Sequence, residues 1–403
     1  MIPLAEARAT VLAGCPVPVE PVRLPLAEAL GCVLANRVVS AEAVPPFANT
    51  AMDGFAVQAA SVAAVPARLK VVGTLAAGAA PSISVGAGEA VRIMTGAPVP
   101  PGADAIVPVE VTKVDGDTVE VLEAARLGDH VRPAGEDIAA GQEVFPAAVT
   151  LTPGHLGVLA SIGIAEVDVL PRPRVGVLST GDELVEGGGD LQPGQIRDSN
   201  RHTLLALCRS SGFEAVDLGL ARDDEAVIED VVRKGLATCD ALVTSGGVSV
   251  GDFDYVKVVL DRLSGGSMRW MQVAIKPAKP LAFGTVEGKP VFGLPGNPVS
   301  SMVSFELFAR PGLRQMMGFT GGALDRPRAL AVADEDLRRR PDGKITFMRV
   351  AASIGGDGRF HVRSSGGQAS NLLRAMALAN ALAVLPDGDG VAAGGDVEVM
   401  LLG

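Results

Sequence analysis

The run Arg174–Thr180, with the sequence RVGVLST, decides the fold of this chain. Its apolar composition is typical of a strand that is buried on both faces of a parallel sheet. Helical and strand-like runs alternate after it, in the order SNRHTLLALCRSSG, EAVDLGL, DEAVIEDVVRKGL, ALVTSGG and DYVKVVLDRL. This alternation predicts a doubly wound α/β sheet, and Asp223 or Asp224 is expected to cap its second helix. The runs LAFGTV and KPVFGLPG add strands, and NPVSSMVSFELF adds a closing helix.

The rest of the chain predicts further domains around this unit. A chain of 403 residues is too long for a single core, so two to four domains are expected. The apolar pattern is helical from Ile2 to about Ala43, where Pro16, Pro18 and Pro21 break it into pieces. It is helical again over Leu151–Gly163, where Thr152 can cap and Pro153 suits the first turn. Short β-rich runs fill the other segments. The predicted domains are a discontinuous helical domain (1–44 and 143–170), an inserted β domain (45–142), the α/β domain (171–324) and a C-terminal β-barrel-like domain (325–403).

Composition narrows the class of protein. Hydrophobic residues make up 48% and charged residues 20% of the chain, as expected for a globular protein with sizeable cores. The net charge of -11 and the 3% of aromatic residues argue against binding to nucleic acid, which needs clustered cations or stacking surfaces. No apolar run reaches the length of a membrane span, and the N-terminal segment does not resemble a signal peptide. A cytoplasmic enzyme or binding protein is therefore expected.

Small residues follow three of the predicted strands in the α/β domain. They form the turns Gly181-Asp182-Glu183, Ser245-Gly246-Gly247 and Gly296-Asn297-Pro298. Ligands of open α/β sheets bind at the carboxyl ends of strands, where such turns offer backbone N–H groups to an anion. Glu183 and Asp254 add carboxylates that suit a hard cation such as Mg²⁺ beside phosphate oxygens. Each turn alone is explained by ordinary turn and capping chemistry, but three at one sheet edge favour a ligand site.

Two further segments carry charges in stiff surroundings. The run PPFANTAMDGFAV, Pro45–Val57, places Asp53 before Gly54, which lets the backbone either approach a ligand closely or adopt a positive φ. The run IKPAKP places Lys276 and Lys279 beside prolines that fix their direction, which suits capture of a small oxyanion. A plain turn and a solvated surface run are the respective alternatives.

Together, the motifs resemble those of one family, the molybdopterin molybdenumtransferases, which include bacterial MoeA and the E domain of gephyrin. The matching runs are PPFANTAMDGFAV, VRIMTGAPVPPGADAIVPVE, RPAGEDIAAGQ, LSTGDEL, RDSNRHTL, SGGVSVGDFDY, IKPAKPLAFG and GLPGNPVS. They span nearly the whole chain, and the predicted domain order is also that of the family. The resemblance implies a cytoplasmic homodimer that takes molybdate and adenylylated molybdopterin. It would insert molybdenum into the dithiolene with the help of Mg²⁺, and AMP would leave.

The resemblance also implies roles for individual residues. Catalytic roles fall on Asp53, Thr95, Asp137, Glu183, Asp224 and Asp254, of which Glu183 and Asp254 would act at the metal and the pyrophosphate. The resemblance and the three turns together assign binding roles to Arg132, Ser245, Gly246, Gly247, Lys276, Lys279, Pro295, Gly296, Pro298, Arg349 and Ser370. Arg349 and Ser370 resemble molybdate contacts, whereas Asp53 and Thr95 would face the α/β domain of the other subunit.

Two other functions remain as alternatives. The molybdopterin adenylyltransferase that makes the adenylylated pterin shares the α/β domain and the SGG turn, but the additional β domains and the AMDG and MTGAP runs favour the insertion step. A gephyrin-like scaffold would use the same fold without catalysis, but the acids and lysines are retained here. The expected partners are a second copy of the chain, the adenylyltransferase and maturation factors of molybdoenzymes.

Overall fold

The computed structural model describes residues 1–18, 20–247 and 255–402, and the chain folds into two compact units. The first unit consists of Arg23–Leu30 and Leu34–Asp168, and the second of Met1–Val22, Gly31–Val33 and Val169–Gly403. The described α-helices are α1 (Leu4–Ala13), α2 (Pro153–Ser161), α3 (Asn200–Ser210), α4 (Glu225–Thr238), α5 (Tyr255–Leu263), α6 (Pro298–Ser304), α7 (Arg310–Gln315) and α8 (Leu373–Ala377). Within the described ranges, no helix is long and apolar enough to cross a membrane.

The strands of the first part of the chain are short. They are β1 (Val22–Pro25), β2 (Val38–Val39), β3 (Asn49–Thr50), β4 (Gly54–Val57), β5 (Ala67–Leu75), β6 (Glu89–Ile93), β7 (Ala105–Pro108), β8 (Thr112–Asp115), β9 (Thr118–Val121), β10 (Val131–Arg132), β11 (Glu143–Phe145) and β12 (Glu166–Val169). Six of them form a sheet in the order β7-β4-β6-β5-β9-β8, in which only β5 and β6 pair in parallel. Phe55 and Val57 pack into one core and Ala56 into another, so β4 is covered on both faces.

The helical interpretation of residues 2–43 is only partly correct. α1 ends at Ala13, and β1 and β2 follow within the same stretch. Pro16, Pro18 and Pro21 account for the difference, because proline lacks a backbone N–H and disfavours a helical conformation in the residue before it. α2 begins as predicted with Pro153 at its first position.

The strands of the second unit form a central sheet and a barrel. They are β13 (Arg174–Thr180), β14 (Leu184–Val185), β15 (Ile196–Arg197), β16 (Glu214–Ala221), β17 (Ala241–Ser245), β18 (Arg269–Gln272), β19 (Ile275–Lys276), β20 (Pro280–Val286), β21 (Lys289–Leu294), β22 (Arg328–Ala333), β23 (Leu337–Arg338), β24 (Ile345–Ile354), β25 (Phe360–Ser364), β26 (Ala381–Leu385), β27 (Gly390–Val391) and β28 (Asp396–Leu401). The central sheet has the order β16-β13-β17-β21-β20-β18. Val175 and Val177 of β13 pack on one face and Leu178 on the other, which confirms a sheet covered on both sides.

The central sheet is parallel over β16, β13, β17 and β21, as predicted, but β20 and β18 run antiparallel to their neighbours. Only Glu287 and Gly288 connect β20 to β21, and both have a positive φ, of 52° and 77°. A connection of two residues permits only an antiparallel pair, because parallel strands need a long crossover. The sheet is therefore a parallel core extended by a hairpin.

The C-terminal strands form a closed barrel. The order is β19-β24-β25-β22-β28-β26, and β24 also pairs with β26, which closes five of these strands on themselves. Val350, Val362 and Val399 lie in the core of the barrel. This confirms the predicted barrel-like domain, and β19 joins it by pairing in parallel with β24.

Candidate functional site

Three turns of the second unit lie side by side at the carboxyl edge of the central sheet. They follow β13, β17 and β21, which are neighbours in the sheet. The N–H of Gly246 donates to the carbonyl oxygen of Leu294 at 3.1 Å and so joins the last two turns. Gly246 has a φ of 95°, and a Cβ there would lie 2.9 Å from the carbonyl oxygen of Thr180. A Cβ on Gly296 would lie 3.8 Å from the Cα of Gly246, so the walls of the edge are close and formed largely by backbone.

Acidic side chains cluster at the first of these turns. The carboxylate of Asp182 accepts a hydrogen bond from the N–H of Asp223 at 3.2 Å. Burial raises the pKa of Asp223, and the negative charges of Asp182 and Glu183 raise it further. The Glu183 carboxylate folds back towards Gly181, where a Cβ would lie 2.5 Å from its Oε2. The local excess of negative charge is electrostatically suited to a cation.

The donor set fits Mg²⁺ in its chemistry. Carboxylate oxygens are hard ligands, and Mg²⁺ in phosphate-binding enzymes is commonly held by one or two carboxylates together with substrate phosphates. In the described ranges no group of three or more His, Cys, Asp or Glu side chains is placed to hold a metal ion. The predicted metal ligand Asp254 lies outside the described residues.

Asp224 caps α4. Its Oδ1 accepts a hydrogen bond from the N–H of Val227 at 3.0 Å, which decides between the two predicted caps. Capping satisfies one of the free N–H groups of the first turn and does not depend on any ligand. Asp224 therefore has a structural role as the cap of α4, in addition to the catalytic role that the resemblance implies.

The RDSN run at the start of α3, residues 197–200, carries functional candidates that were not among the predicted site residues. Asp198 accepts hydrogen bonds from Ser179 Oγ at 3.1 Å and from the N–H and Nε of Arg201, both also at 3.1 Å. The Nδ2 atom of Asn200 donates to Ser245 Oγ at 2.7 Å and to the carbonyl oxygen of Gly296 at 2.6 Å. The available signal was positional, since the run precedes a helix and belongs to a family-like motif.

Both lysines of the IKPAKP run are exposed. Lys276 pairs with Thr346 of β24, and the carbonyl oxygen of Lys279 accepts a hydrogen bond from the N–H of Val273 at 2.7 Å. The backbone is therefore held while the ammonium groups extend outward. Among the described residues neither lysine forms an ion pair within 4 Å, although the charge of Lys276 contributes to the lowered pKa of Asp342, after the larger effect of Lys344.

Arg349 and Ser370 lie at one loop of the barrel. Arg349, on β24, is only 1% exposed, and its Nη2 donates to the carbonyl oxygens of Gly367 at 2.8 Å and Ala369 at 3.1 Å. Its Nε has no partner among the described residues, and burial lowers the pKa of its guanidinium. The carbonyl oxygen of Ser370 accepts a hydrogen bond from Val299 at 3.1 Å, one residue after Pro298. The loop thus contacts the segment that follows Pro295, Gly296 and Pro298.

In the first unit, Asp53 is exposed and held by Thr95. Its Oδ1 accepts hydrogen bonds from Thr95 Oγ1 at 2.6 Å and from the N–H of Thr95 at 2.7 Å. These two bonds, with a smaller effect of Arg92, lower the pKa of Asp53. Gly54 does not adopt the positive φ that its position after Asp53 suggested, and a Cβ there would lie 2.2 Å from the carbonyl oxygen of Val107. Glycine is required by the neighbouring strand rather than by a turn.

Three motifs of the first unit converge at β3. Thr50 pairs with Val131 of β10, and Asn49 pairs with Arg132. The carbonyl oxygen of Thr50 also accepts a hydrogen bond from Gly96 at 2.9 Å, which brings in the turn that carries Thr95. Arg132 and Asp137 are exposed, and the N–H of Asp137 donates to the carbonyl oxygen of Val44 at 3.0 Å. The structure therefore brings together the runs that contain Asp53, Thr95, Arg132 and Asp137.

Comparison with known proteins covers nearly the whole chain. Residues 2–163 match the MoeA N-terminal region (domain I and II), residues 176–315 a probable molybdopterin binding domain, and residues 331–402 the MoeA C-terminal region (domain IV). The chain is 42% identical over 388 residues to molybdopterin molybdenumtransferase 2 of Mycobacterium tuberculosis, covering 94% of each chain. It is 39% identical over 401 residues to molybdopterin molybdenumtransferase of Haemophilus influenzae, covering 99% of this chain and 98% of that relative. The solved structure of a molybdopterin biosynthesis moeA protein from Pyrococcus horikoshii OT3 is 27% identical, covers 100% of both chains and superposes with a TM-score of 0.81.

Proposed function

The chain belongs to the molybdopterin molybdenumtransferase family, and from this premise we propose how its residues carry out the reaction. It is a transferase of molybdenum cofactor biosynthesis, which inserts molybdenum from molybdate into adenylylated molybdopterin and releases AMP. The matches to the MoeA N- and C-terminal regions favour insertion over the adenylyltransferase alternative. The scaffold alternative is not favoured by relatives that are named as transferases.

The arrangement that carries this proposal is the carboxyl edge of the central sheet. Three close turns there are formed largely by backbone, and Ser245, Gly246, Gly247, Pro295, Gly296 and Pro298 are the proposed contacts to the pterin phosphate. A phosphate accepts hydrogen bonds at all its oxygens, so close backbone N–H groups suit it. Glu183 and Asp254 are the proposed Mg²⁺ ligands. Asp224, directly after Asp223, keeps its proposed catalytic role. When bound, Mg²⁺ would neutralise charge on the phosphate oxygens as the anhydride bond breaks.

The cationic side chains and Asp53 have different proposed roles. Lys276 and Lys279 are the proposed first contacts of molybdate, because exposed ammonium groups attract a dianion without prior loss of an ion pair. Arg349 and Ser370 are proposed to hold its oxygens. Asp53 is proposed to act as an ionised carboxylate with a fixed direction, since Thr95 lowers its pKa and holds its Oδ1 by two hydrogen bonds. Arg132 and Asp137 are proposed to bind substrate beside it.

We further propose a cytoplasmic homodimer in which Asp53 and Thr95 act with the central sheet of the partner subunit. This rests on the family resemblance, whereas the four proposed domain bounds of 1–44 with 143–170, 45–142, 171–324 and 325–403 rest on the pattern of the sequence. The adenylyltransferase that supplies the substrate and maturation factors that accept the product are the proposed transient partners. Mixing Asp53→Ala and Glu183→Ala dimers under subunit exchange should restore part of the activity, because one site of each heterodimer is intact. No recovery despite proven exchange would place both residues in one chain's site.

The decisive experiment measures AMP release from adenylylated molybdopterin with and without molybdate. We expect release that depends on molybdate and on Mg²⁺, together with transfer of molybdenum to the pterin. Formation of adenylylated pterin from ATP in the same assay would instead favour the adenylyltransferase, and no turnover of either kind would favour a scaffold. EDTA followed by added Mg²⁺ or Ca²⁺ tests the metal separately.

A further inference from the structure

Asn200, the first residue of α3, connects two of the three turns. Its Nδ2 donates to Ser245 Oγ at 2.7 Å and to the carbonyl oxygen of Gly296 at 2.6 Å. Asp198, in the same segment, accepts from Ser179 Oγ near the end of β13 at 3.1 Å. The ends of β13 and β17 and the turn after β21 therefore all form hydrogen bonds to one short segment at the start of α3.

The chemistry of these contacts determines how both polar groups are oriented. A carbonyl oxygen can only accept, so the nitrogen of the Asn200 amide, and not its oxygen, must face Gly296. The second hydrogen of the same nitrogen then reaches Ser245 Oγ, so the hydrogen of that hydroxyl must point elsewhere. Ser245 is 2% exposed, and within the described ranges its hydroxyl forms no other hydrogen bond.

We propose that Asn200 is a positioning residue, which holds the Ser245 hydroxyl as a donor to an anionic oxygen of the bound substrate. The inference rests on the proposed function, in which that anion is a phosphate oxygen of adenylylated molybdopterin. A hydroxyl whose acceptor side is already occupied suits a phosphate, because a phosphate oxygen can only accept. The bond to Gly296 also holds the turn after β21 next to Ser245, so both walls of the edge depend on the same amide.

The test compares Asn200→Ala, Ser245→Ala and the double variant in molybdate-dependent AMP release. Each single variant should raise KM for adenylylated molybdopterin by about 10- to 100-fold, as expected for loss of one hydrogen bond to a charged group, with a smaller change in kcat. The double variant should be no worse than Asn200→Ala, because residues that act through one contact are not additive. Thr203→Ala is the matched control, since it removes a hydroxyl of the same helix that donates to the carbonyl oxygen of Ser199 at 2.9 Å, and it should keep the wild-type KM.

Each outcome of these measurements either supports or overturns the positioning role of Asn200. An unchanged KM in a folded Asn200→Ala variant overturns the positioning role, and so do additive losses in the double variant. If the thermal transition shows that Asn200→Ala does not fold, Ser245→Ala decides alone, and an unchanged KM overturns the proposal. Failure of the proposed function would appear as wild-type protein that releases no AMP; in that case calorimetric binding of adenylylated molybdopterin to wild type and to both single variants still tests the positioning of Ser245, and equal affinities overturn it.

Discussion

Asp53 in the first unit and the lysine pair in the second are both exposed charges on irregular segments, but they are held differently. Asp53 is fixed by two hydrogen bonds from Thr95, whereas Lys276 and Lys279 form no ion pair with any described residue. A fixed carboxylate presents its oxygens in one direction, while an ammonium group on a four-carbon stem acts mainly through its charge. The difference indicates that the first region directs a chemical step and the second captures an anion.

The largest expected effect concerns Asp53, the fixed carboxylate of this comparison. Asp53→Ala should fold normally, because the side chain is exposed, but should lose about 10²- to 10³-fold in the rate of molybdenum insertion, as for removal of one oriented polar group from a catalytic site. Steady-state AMP release and thermal unfolding measure the two properties. The control is Asp115→Ala, which removes an exposed carboxylate on β8, an edge strand of the six-stranded sheet that contains β4. Near-normal turnover in Asp53→Ala would contradict a catalytic role.

Arg349 provides a buried cation for comparison with the exposed lysines. Arg349→Met should lower the free energy of unfolding by about 2–4 kcal/mol, because two hydrogen bonds from the buried, charged guanidinium to the carbonyl oxygens of Gly367 and Ala369 are lost. Urea unfolding measures the change. Arg363→Ala removes an ion pair with Asp334 in which the arginine side chain is 72% exposed. It should therefore change the free energy of unfolding by less than about 1 kcal/mol. Full stability of Arg349→Met combined with lost molybdate binding would show that the guanidinium serves the substrate and not the loop.

The lysines should show the opposite behaviour. Lys276→Ala or Lys279→Ala should weaken molybdate binding by about one to two powers of ten with little change in stability, because each removes a charged donor from an exposed position. Binding should weaken with ionic strength, and Lys→Arg should lose less if charge alone matters. Lys113→Ala, an exposed lysine of the first unit, is the calorimetric control. If neither variant changes affinity, the pair is a solvated surface run.

The smallest expected effect concerns the hydroxyl that holds Asp53. Thr95→Val removes the side-chain hydrogen bond but keeps the backbone bond, so the pKa of Asp53 should rise towards its ordinary value. Since the ionised carboxylate is the proposed active form, activity should then be lost at a higher pH on the acid side, with little change at neutral pH. The pH profile of AMP release measures this shift. An acid limb at the wild-type position would show that Asp53 does not set it.

Much of the fold could be predicted because local patterns and global structure agree. The buried run of β13 and the helices between the parallel strands follow directly from apolar periodicity. The short C-terminal strands indicated a barrel-like or sandwich domain, whereas the pairing of β24 with β26 that closes the barrel is seen only in the structure. The antiparallel extension by β20 and β18 was not predicted, since LAFGTV and KPVFGLPG were interpreted as two added strands without attention to their short connection. Residues 14–43 were misinterpreted because apolar spacing was given more weight than the prolines that interrupt it.

The types of residue in the candidate site could be predicted from the sequence, but their hydrogen-bond partners could not. Family-like motifs pointed to Asp53 and Thr95, but only the structure shows that one hydrogen-bonds the other. The burial of Arg349 depends on a loop some twenty residues away along the chain, and no local pattern signals such a contact. Asn200 was overlooked for the same reason, because both acceptors of its amide are distant in sequence.

The sequence by itself determined the alternation of strands and helices, the small residues at the strand ends and the family to which the chain belongs, because these are properties of neighbouring residues and of recognisable runs. Tertiary structure alone decided that Gly54 is required by the carbonyl oxygen of Val107 and that Asn200 ties two turns together. Close approach and hydrogen bonding act over about 3 Å in space, whatever the separation along the chain. Residues far apart in sequence therefore acquire their roles only when the sheet brings them together.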